Sequence, residues 1–287
     1  MEAETTSREE LISRLQEVAR DLRITDIEML AEAGSGHPGG TLSIAEMVAA
    51  LFFHKLRLRP DEPDWPGRDR FILSKGHCIP IVYAAMAKLG FFEEKELMTL
   101  RKLGTRLQGH PDRRLLPGIE ASTGSLGQGL SVAAGMAMAG KIDEAGWRVY
   151  CVLGDGEIQA GQVWEAAMFA PRHGLDNLTA ILDHNTLQIT GHTKDVMSNE
   201  PLDEKWRAFG WEVRSVNGHD YAALTTAITT PHPGKPLIVI ANTVKGKGVS
   251  FMENVGKWHH GVPGDAELAQ SLAELEAAEQ RLRETVA

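Results

Sequence analysis

Apolar residues recur along the chain at spacings typical of amphipathic helices at its two ends. Near the amino end, Ser7 and Glu10 form a capping-box signature, and apolar positions 11, 15, 18 and 22 then share one face. This pattern predicts a long helix that leads towards Ala33. After the turn at 261–265, a second amphipathic helix is predicted from one apolar face made of Leu268, Leu272, Leu275 and Leu282.

Four short apolar runs between these helices predict buried strands, at residues 148–154, 178–183, 211–216 and 236–242. Helical patterns separate most of them, at 43–53, 126–139, around 166–170 and at 221–228. Strands that alternate with helices predict an α/β fold, in which helices cover both faces of a parallel sheet. No repeat, low-complexity segment or shift in composition marks a boundary, so we expect one domain over residues 1–287.

The stretch AGSGHPGG, residues 33–40, has the spacing G-x-G-x-x-G of a dinucleotide-binding turn. That turn needs a strand before the glycines and an acidic residue about 20 positions after them. Here a predicted helix precedes Gly34, and Arg59 lies 20 positions after Gly39. The context therefore excludes a nicotinamide dinucleotide site, and the stretch instead presents His37 from a flexible loop.

Composition excludes several classes of function. The 287 residues are 43% hydrophobic, enough for a large core, and 39 acidic against 30 basic residues give a net charge of −9. This charge disfavours nucleic acid and anionic membranes as partners. The longest apolar run, 79–87, is far shorter than the ~20 residues of a membrane span, and no signal sequence opens the chain, so we expect a cytoplasmic protein. Cys78 and Cys151 are expected to be buried and free.

A carboxylate and an amide follow two neighbouring predicted strands. Asp155 stands between Gly154 and Gly156 at the end of one strand, and Asn185 ends the next strand 30 positions later. Such an interval is about one β-α-β unit, so both side chains should enter one crevice. Taken singly, Asp155 fits a helix cap and Asn185 a turn. Together with a loop carbonyl, their oxygens suit Mg²⁺ beside a phosphate group, and the pair predicts a metal-diphosphate site.

A G-D-G motif followed at this interval by a strand that ends in Asn is similar to the thiamine diphosphate motif. The chain resembles transketolases, specifically their amino-terminal, diphosphate-binding domain. The resemblance covers most of the chain from about Asp26, through motifs in family order: GSGHPGG, SKGHCIPIVYAAMAKLG, GHPD, TGSLGQGLSVAAGMA, GDGEIQAG, DHNTLQITG and KWHHGVP. It implies a thiamine-diphosphate-binding fold and a transferase that moves a two-carbon ketol unit from a ketose or its phosphate to an aldose acceptor.

The resemblance also assigns residues to the cofactor. It implies that Asp155, Asn185 and the backbone carbonyl of Leu187 bind Mg²⁺ (or Ca²⁺), which bridges the diphosphate of thiamine diphosphate. The other implied cofactor contacts are Gly154 and Gly156 at the diphosphate, Gly124, Ser125 and Leu126 in the loop that touches the aminopyrimidine, and Glu165, which matches a family glutamate.

Histidines at family positions complete the implied active site: His37, His77, His110 and His260. By this resemblance His37 and His260 move protons during ketol transfer, and imidazoles, which titrate near neutrality, suit that role. His77 and His260 also reach diphosphate oxygens, whereas His110 meets the terminal hydroxyl of the ketose donor. Histidines without a family match, including His259, are expected to be ordinary residues.

Two departures from the family shape the functional hypothesis. A full transketolase continues into pyrimidine-binding and third domains, whereas this sequence stops at Ala287. We therefore expect a split transketolase that is active only with a carboxyl-terminal subunit, as a heterotetramer with two copies of each. Ala160 stands where the family has a glutamate. For this reason a decarboxylating enzyme similar to 1-deoxyxylulose-5-phosphate synthase is retained as an alternative hypothesis. A non-catalytic scaffold is the remaining alternative.

Overall fold

A parallel sheet of five strands forms the centre of the computed structural model, which describes residues 7–286 and the side chains up to residue 278. The sheet order is β1-β2-β3-β7-β6, and every neighbouring pair is parallel. A separate antiparallel hairpin consists of β4 and β5. The strands are β1 Arg70–Leu73, β2 Val149–Gly154, β3 Leu178–His184, β4 Leu187–Gln188, β5 Gly191–His192, β6 Glu212–Asn217 and β7 Leu237–Asn242.

Helices connect these strands and cover the sheet. The α-helices are α1 Arg8–Ala33, α2 Pro38–Leu42, α3 Ala45–Ala50, α4 Ile79–Leu89, α5 Gly129–Ile142, α6 Gly161–Arg172, α7 Thr193–Val196, α8 Leu202–Phe209, α9 Tyr221–Thr229 and α10 Asp265–Val286. A π-helical turn at Leu51–Lys55 extends α3, and short 3₁₀ turns lie at Gly76–Cys78, Glu94–Thr99, Glu157–Gln159 and Gly256–His259.

Helices pack against both faces of the sheet, and successive side chains of a strand point to opposite faces. In β2, Tyr150 and Val152 pack into the core formed with α1, α3, α4 and α9. The alternating residues Cys151 and Leu153 pack into a second core with α5, α6 and α8. The carboxyl edge of the sheet, where the strand-to-helix loops meet, is thereby held between two rigid layers.

The predicted α/β class, the four predicted strands and both terminal helices are confirmed. The capping box is also present, since Ser7 Oγ accepts from Glu10 N and the Glu10 carboxylate accepts from Ser7 N. Leu268 and Leu275 of α10 pack beside Ile27 of α1, whereas the side chain of Leu282 lies outside the described residues. Cys78 and Cys151 are buried and free, and no helix within residues 7–286 is long and apolar enough to span a bilayer.

The sequence analysis did not predict β1, α4 and α8, nor the short elements α2, α7, β4 and β5. β1 is a four-residue edge strand whose first two residues are only half-buried, so its apolar signal is short. α4 is apolar on all sides and buried, so it lacks the alternation of polar and apolar faces that marks an amphipathic helix.

Candidate active site

A cavity of about 460 Å³ opens at the carboxyl ends of β2 and β3. It lies where parallel α/β sheets usually bind ligands, because the loops that follow the strands converge there. Many predicted site residues line it: His37, His77, His110, Gly124, Leu126, Gly154, Asp155, Gly156, Asn185 and Leu187. The cavity therefore brings together the metal-diphosphate pair and three of the four predicted histidines.

The loop that carries His37 is fixed by its glycines. α1 ends at Ala33 and Gly34 adopts a left-handed φ of 62°, so a helix precedes the glycines, as expected from the sequence. The Gly39 carbonyl accepts a hydrogen bond from Gly246 N at 2.9 Å. A Cβ at Gly39 would lie 2.7 Å from the carbonyl oxygen of Trp258, so only glycine permits this approach.

His37 lies at the centre of a cluster of imidazoles. Its ring centroid is 4.9 Å from those of both His77 and His260, and 5.8 Å from that of His259. His260 thus contacts His37, although it is not among the residues that line the cavity. His259, which we expected to be ordinary, does line the cavity. Sequence reasoning missed it because only the second histidine of KWHHGVP matches the family motif.

Burial keeps His37, His77 and His259 neutral near pH 7. Desolvation first, and neighbouring positive groups second, lower the pKa of His37 to about 4, that of His259 to about 3 and that of His77 to about 2. Burial and the Arg101 guanidinium also lower the pKa of His110. The Nδ1 atoms of His37 and His259 are buried and have no hydrogen-bond partner within the described chain. A neutral imidazole has one nitrogen that can accept a proton.

Asp155 and Asn185 present oxygen atoms to the same cavity. Asp155 is 2% exposed and accepts hydrogen bonds from Gly156 N at 2.8 Å and from Thr186 N. Burial, followed by the nearby Asp183 carboxylate, raises the pKa of Asp155 to about 6. Asn185 Oδ1 accepts from Leu187 N at 3.1 Å, and the Leu187 carbonyl accepts from Lys245 Nζ at 3.0 Å. A carboxylate, an amide oxygen and a carbonyl form a donor set that fits Mg²⁺, and a cation would offset the electrostatic cost of the buried Asp155 charge.

Behind these oxygens lies a buried ion pair that the sequence did not reveal. Lys75 Nζ is 2.5 Å from Asp183 Oδ2, and both side chains are at most 4% exposed. Although burial opposes the charged form, Asp183 raises the pKa of Lys75. The same Asp183 oxygen accepts from Ser43 Oγ at 2.7 Å and from Asn185 Nδ2 at 2.8 Å. Asp183 therefore orients the amide of Asn185 so that its Oδ1 points away from the pair.

Glu157 joins the two glycine loops of the site. It is 4% exposed and accepts hydrogen bonds from Gly127 N at 2.9 Å, from Gly154 N at 3.0 Å and from Ser74 Oγ. It lines the cavity and lies within the motif GDGEIQAG, although the sequence analysis gave it no role in the site. Its carboxylate fixes the spacing between the loop at 124–128 and the turn at 154–156.

The loop at 124–126 forms one wall of the cavity. Gly124 has a φ of 149°, and a Cβ there would meet His110 Cδ2 at 2.8 Å, so the glycine allows the loop to pack against His110. Leu126 is 45% exposed at the rim. Ser125 is exposed and outside the lining, and Glu165 is exposed on α6, away from the cavity. Their predicted cofactor contacts remain predictions.

Comparison with known proteins identifies the family. The family model described as transketolase, thiamine diphosphate binding domain, matches residues 14–280. The 6-deoxy-6-sulfo-D-fructose transketolase subunit SqwG of Clostridium sp. (strain MSTE9) is 47% identical over 241 residues, which cover 83% of this chain and 88% of that protein. One of the subunits of the apulose-4-phosphate transketolase of Phocaeicola vulgatus is 43% identical over 258 residues, with 89% of this chain and 92% of that protein covered.

Longer transketolases match the chain over part of their length. Human transketolase is 43% identical over 265 residues, which cover 91% of this chain and 42% of that protein. The crystal structure of transketolase from Campylobacter jejuni superposes with a TM-score of 0.85 at 34% identity, covering 91% of this chain and 42% of that one. The chain thus spans less than half the length of these two proteins. The family model and these relatives together show that this chain belongs to the transketolase family and contains its thiamine diphosphate binding domain.

Proposed function

We propose that this chain is the thiamine-diphosphate-binding subunit of a split transketolase, which transfers a two-carbon ketol unit from a ketose to an aldose. One observation carries the proposal: the neutral imidazoles of His37, His77 and His259 line the same cavity as Asp155, Asn185 and Leu187. The first group suits proton transfer and the second suits a metal-bound diphosphate, and ketol transfer on thiamine diphosphate needs both.

Different residues of the cavity would bind different parts of the cofactor. Asp155, Asn185 Oδ1 and the Leu187 carbonyl would hold Mg²⁺ (or Ca²⁺), while His77 and the turn at Gly156 would lie against the diphosphate. When bound, thiamine diphosphate supplies a nucleophilic carbon and an electron sink for breaking the bond beside a ketone. The wall at Gly124 and Leu126 would restrict the pyrimidine side of the cofactor.

His37 is placed to exchange protons with the substrate. Its ring lines the cavity and is neutral, so it can accept the hydroxyl proton of the donor as the carbon-carbon bond breaks. The same proton returns to the acceptor oxygen when the new bond forms. His260, in contact with His37, and His259, in the cavity wall, can share or relay this charge. His110 is exposed at the mouth, where a donor's terminal hydroxyl would enter.

A second subunit would complete the site. Exposed apolar side chains lie in the cavity lining, with Leu126 45% and Ile189 73% exposed. Two relatives matched over about nine-tenths of their own length are named as subunits of transketolases, one for a sulfonated and one for a phosphorylated sugar. We infer a carboxyl-terminal subunit with the pyrimidine-binding domain, assembled as two copies of each, and a donor with an anionic end group.

The test is reconstitution with the companion subunit. The tagged chain is recovered from its own cells with Mg²⁺ and thiamine diphosphate, the companion is identified by mass spectrometry, and the purified pair is assayed for ketol transfer. Asp155→Ala should abolish activity through lost cofactor binding, whereas Asp61→Ala, in an exposed carboxylate outside the cavity lining, should not change it. His110→Ala should raise the KM of the donor without changing cofactor affinity.

Two outcomes would overturn the proposal. Release of carbon dioxide from pyruvate without ketol transfer would indicate a decarboxylating enzyme instead. Full cellular function of the Asp155→Ala chain would indicate a scaffold that does not need the cofactor.

A further inference from the structure

A second cavity lies at the opposite edge of the sheet from the candidate active site. It has a volume of about 300 Å³ and is formed by residues that precede β2 and β3 and by the segment that follows α9. This volume is at the lower end of the range for small-molecule pockets. Because it lies at the amino ends of the strands, it shares no lining residue with the cavity at the carboxyl ends.

Two cationic side chains line this second cavity, Lys55 and Arg148. Arg148 is held in place, since its Nη2 donates to the carbonyl of Asp176 at 2.6 Å and lies 2.7 Å from His232 Nε2. Lys55 Nζ makes no hydrogen bond or ion pair with any residue that the structure describes, although its side chain is half-buried. Burial, followed by the Arg148 guanidinium, lowers the pKa of Lys55, so an anion in the cavity would stabilise both cations.

The other titratable groups of the lining do not neutralise these cations. Asp176 is already paired, since its Oδ1 lies 2.7 Å from Lys141 Nζ and its Oδ2 accepts from Gly234 N at 2.9 Å. His232 is 8% exposed and donates from Nδ1 to the carbonyl of Lys235 at 2.8 Å, which leaves Nε2 to accept from Arg148. Burial lowers the pKa of His232, so the ring is neutral and the cavity keeps a positive balance.

The remaining wall offers acceptors. Thr229 and Thr230 donate their hydroxyl protons to backbone carbonyls four residues earlier, each at 2.7 Å, so their oxygens can only accept from a ligand. Arg214 occupies the carbonyls of Ala227, Thr230 and Pro231 at the end of α9. The lining of this cavity thus contains two cations and two hydroxyl acceptors.

From this arrangement we propose that the cavity between Lys55, Arg148 and Thr229–Thr230 is a second binding site for a small hydroxylated oxyanion. The oxyanion, a phosphate or a carboxylate, lies between Lys55 and Arg148, and the hydroxyl groups donate to the two threonines. The site is separate from ketol transfer and does not depend on the function proposed above.

The test is a titration of the full-length chain followed by amide chemical shifts in nuclear magnetic resonance. Thr229, Thr230 and Gly234 report on the second cavity, and Gly154 and Gly156 report on the candidate active site. The probes are inorganic phosphate, acetate, glycerol 3-phosphate and glycerol. We expect glycerol 3-phosphate to shift the first set with the lowest Kd, inorganic phosphate and acetate to shift it more weakly, and glycerol to leave it unchanged.

Two variants distinguish binding of the oxyanion at Lys55 from a general effect of losing one positive charge. Lys55→Gln removes a side chain without protein hydrogen bonds, so the chain should fold normally and bind glycerol 3-phosphate at least fivefold more weakly. Lys95→Gln, in a lysine that is 80% exposed elsewhere, should bind as the natural chain does. Shifts confined to Gly154 and Gly156, equal Kd values for the two variants, or binding of glycerol as tight as that of glycerol 3-phosphate would each overturn the proposal.

Discussion

Lys245 Nζ donates a hydrogen bond to the carbonyl oxygen of Leu187 over 3.0 Å, and this is the oxygen that the family resemblance assigns to the metal ion. The lysine is 3% exposed, and burial together with the Lys75 ammonium lowers its pKa. An ammonium held at this carbonyl would repel a divalent cation bound to the same oxygen. Release of Lys245 from Leu187 would free its charge for the diphosphate.

Lys245→Met should change the affinities of the chain for Mg²⁺ and for thiamine diphosphate in opposite directions. Without the competing ammonium, the cofactor-free chain should bind Mg²⁺ more tightly, by roughly tenfold, because a nearby unit charge is worth at least about 1 kcal/mol. Binding of thiamine diphosphate should weaken, because its anionic end loses a cation. Calorimetric titrations of each ligand measure both constants. Lys247→Met, on the same loop but paired with Glu253, is the control, and weaker Mg²⁺ binding by Lys245→Met would contradict the interpretation.

Asp155→Asn should stabilise the cofactor-free chain while abolishing cofactor binding. The pKa of Asp155 is raised in the fold to about 6 from an ordinary 3.8, so ionisation costs stability as the pH rises from about 4 to 6. Above pH 6 the variant should gain about 1–3 kcal/mol in the free energy of unfolding, and near pH 4 it should gain nothing. Urea denaturation at pH 4 and 7.5 measures the difference, with Asp61→Asn as control. An equal effect at both pH values would rule out titration as the cause.

His37→Gln should reduce the loss of stability in mild acid. Because the pKa of His37 is lowered to about 4, protonation favours the unfolded chain as the pH falls below about 6.5. Since the ring is only partly buried, the expected gain of the variant at pH 5 relative to pH 7.5 is about 1 kcal/mol. Denaturant titrations at the two pH values measure it. His54→Gln, at an exposed surface position, should show a smaller change.

Glu157→Ala should lower both stability and cofactor affinity. The carboxylate accepts three hydrogen bonds, and its loss leaves Gly127 N and Gly154 N without partners, at a cost of about 2–4 kcal/mol. Thermal unfolding and a thiamine diphosphate titration provide the two readouts. Glu165→Ala, in an exposed carboxylate on the helix that follows, should change the stability of the isolated chain by less than about 0.5 kcal/mol. Comparable losses in both variants would contradict the role given to Glu157.

The sequence predicts the parts of this site that follow from strand order. Asp155 and Asn185 end strands that prove to be neighbours, so their proximity follows from β-α-β connectivity. His37, His77 and His110 were found through family motifs. Lys75 and Lys245 were missed, because a lysine beside glycines has the sequence signature of a surface residue, and only packing shows that both are buried. β1 was missed because its four residues carry a short apolar signal at the edge of the sheet.

The segments that meet in the candidate active site are far apart along the chain, from His37 before α2 to His259 after β7. Contacts of such long sequence separation form late in folding, because the entropy of loop closure must be lost before they contribute. The cofactor can therefore bind only after the sheet has been completed. Saturating thiamine diphosphate and Mg²⁺ should slow the unfolding of the chain and leave its rate of folding unchanged.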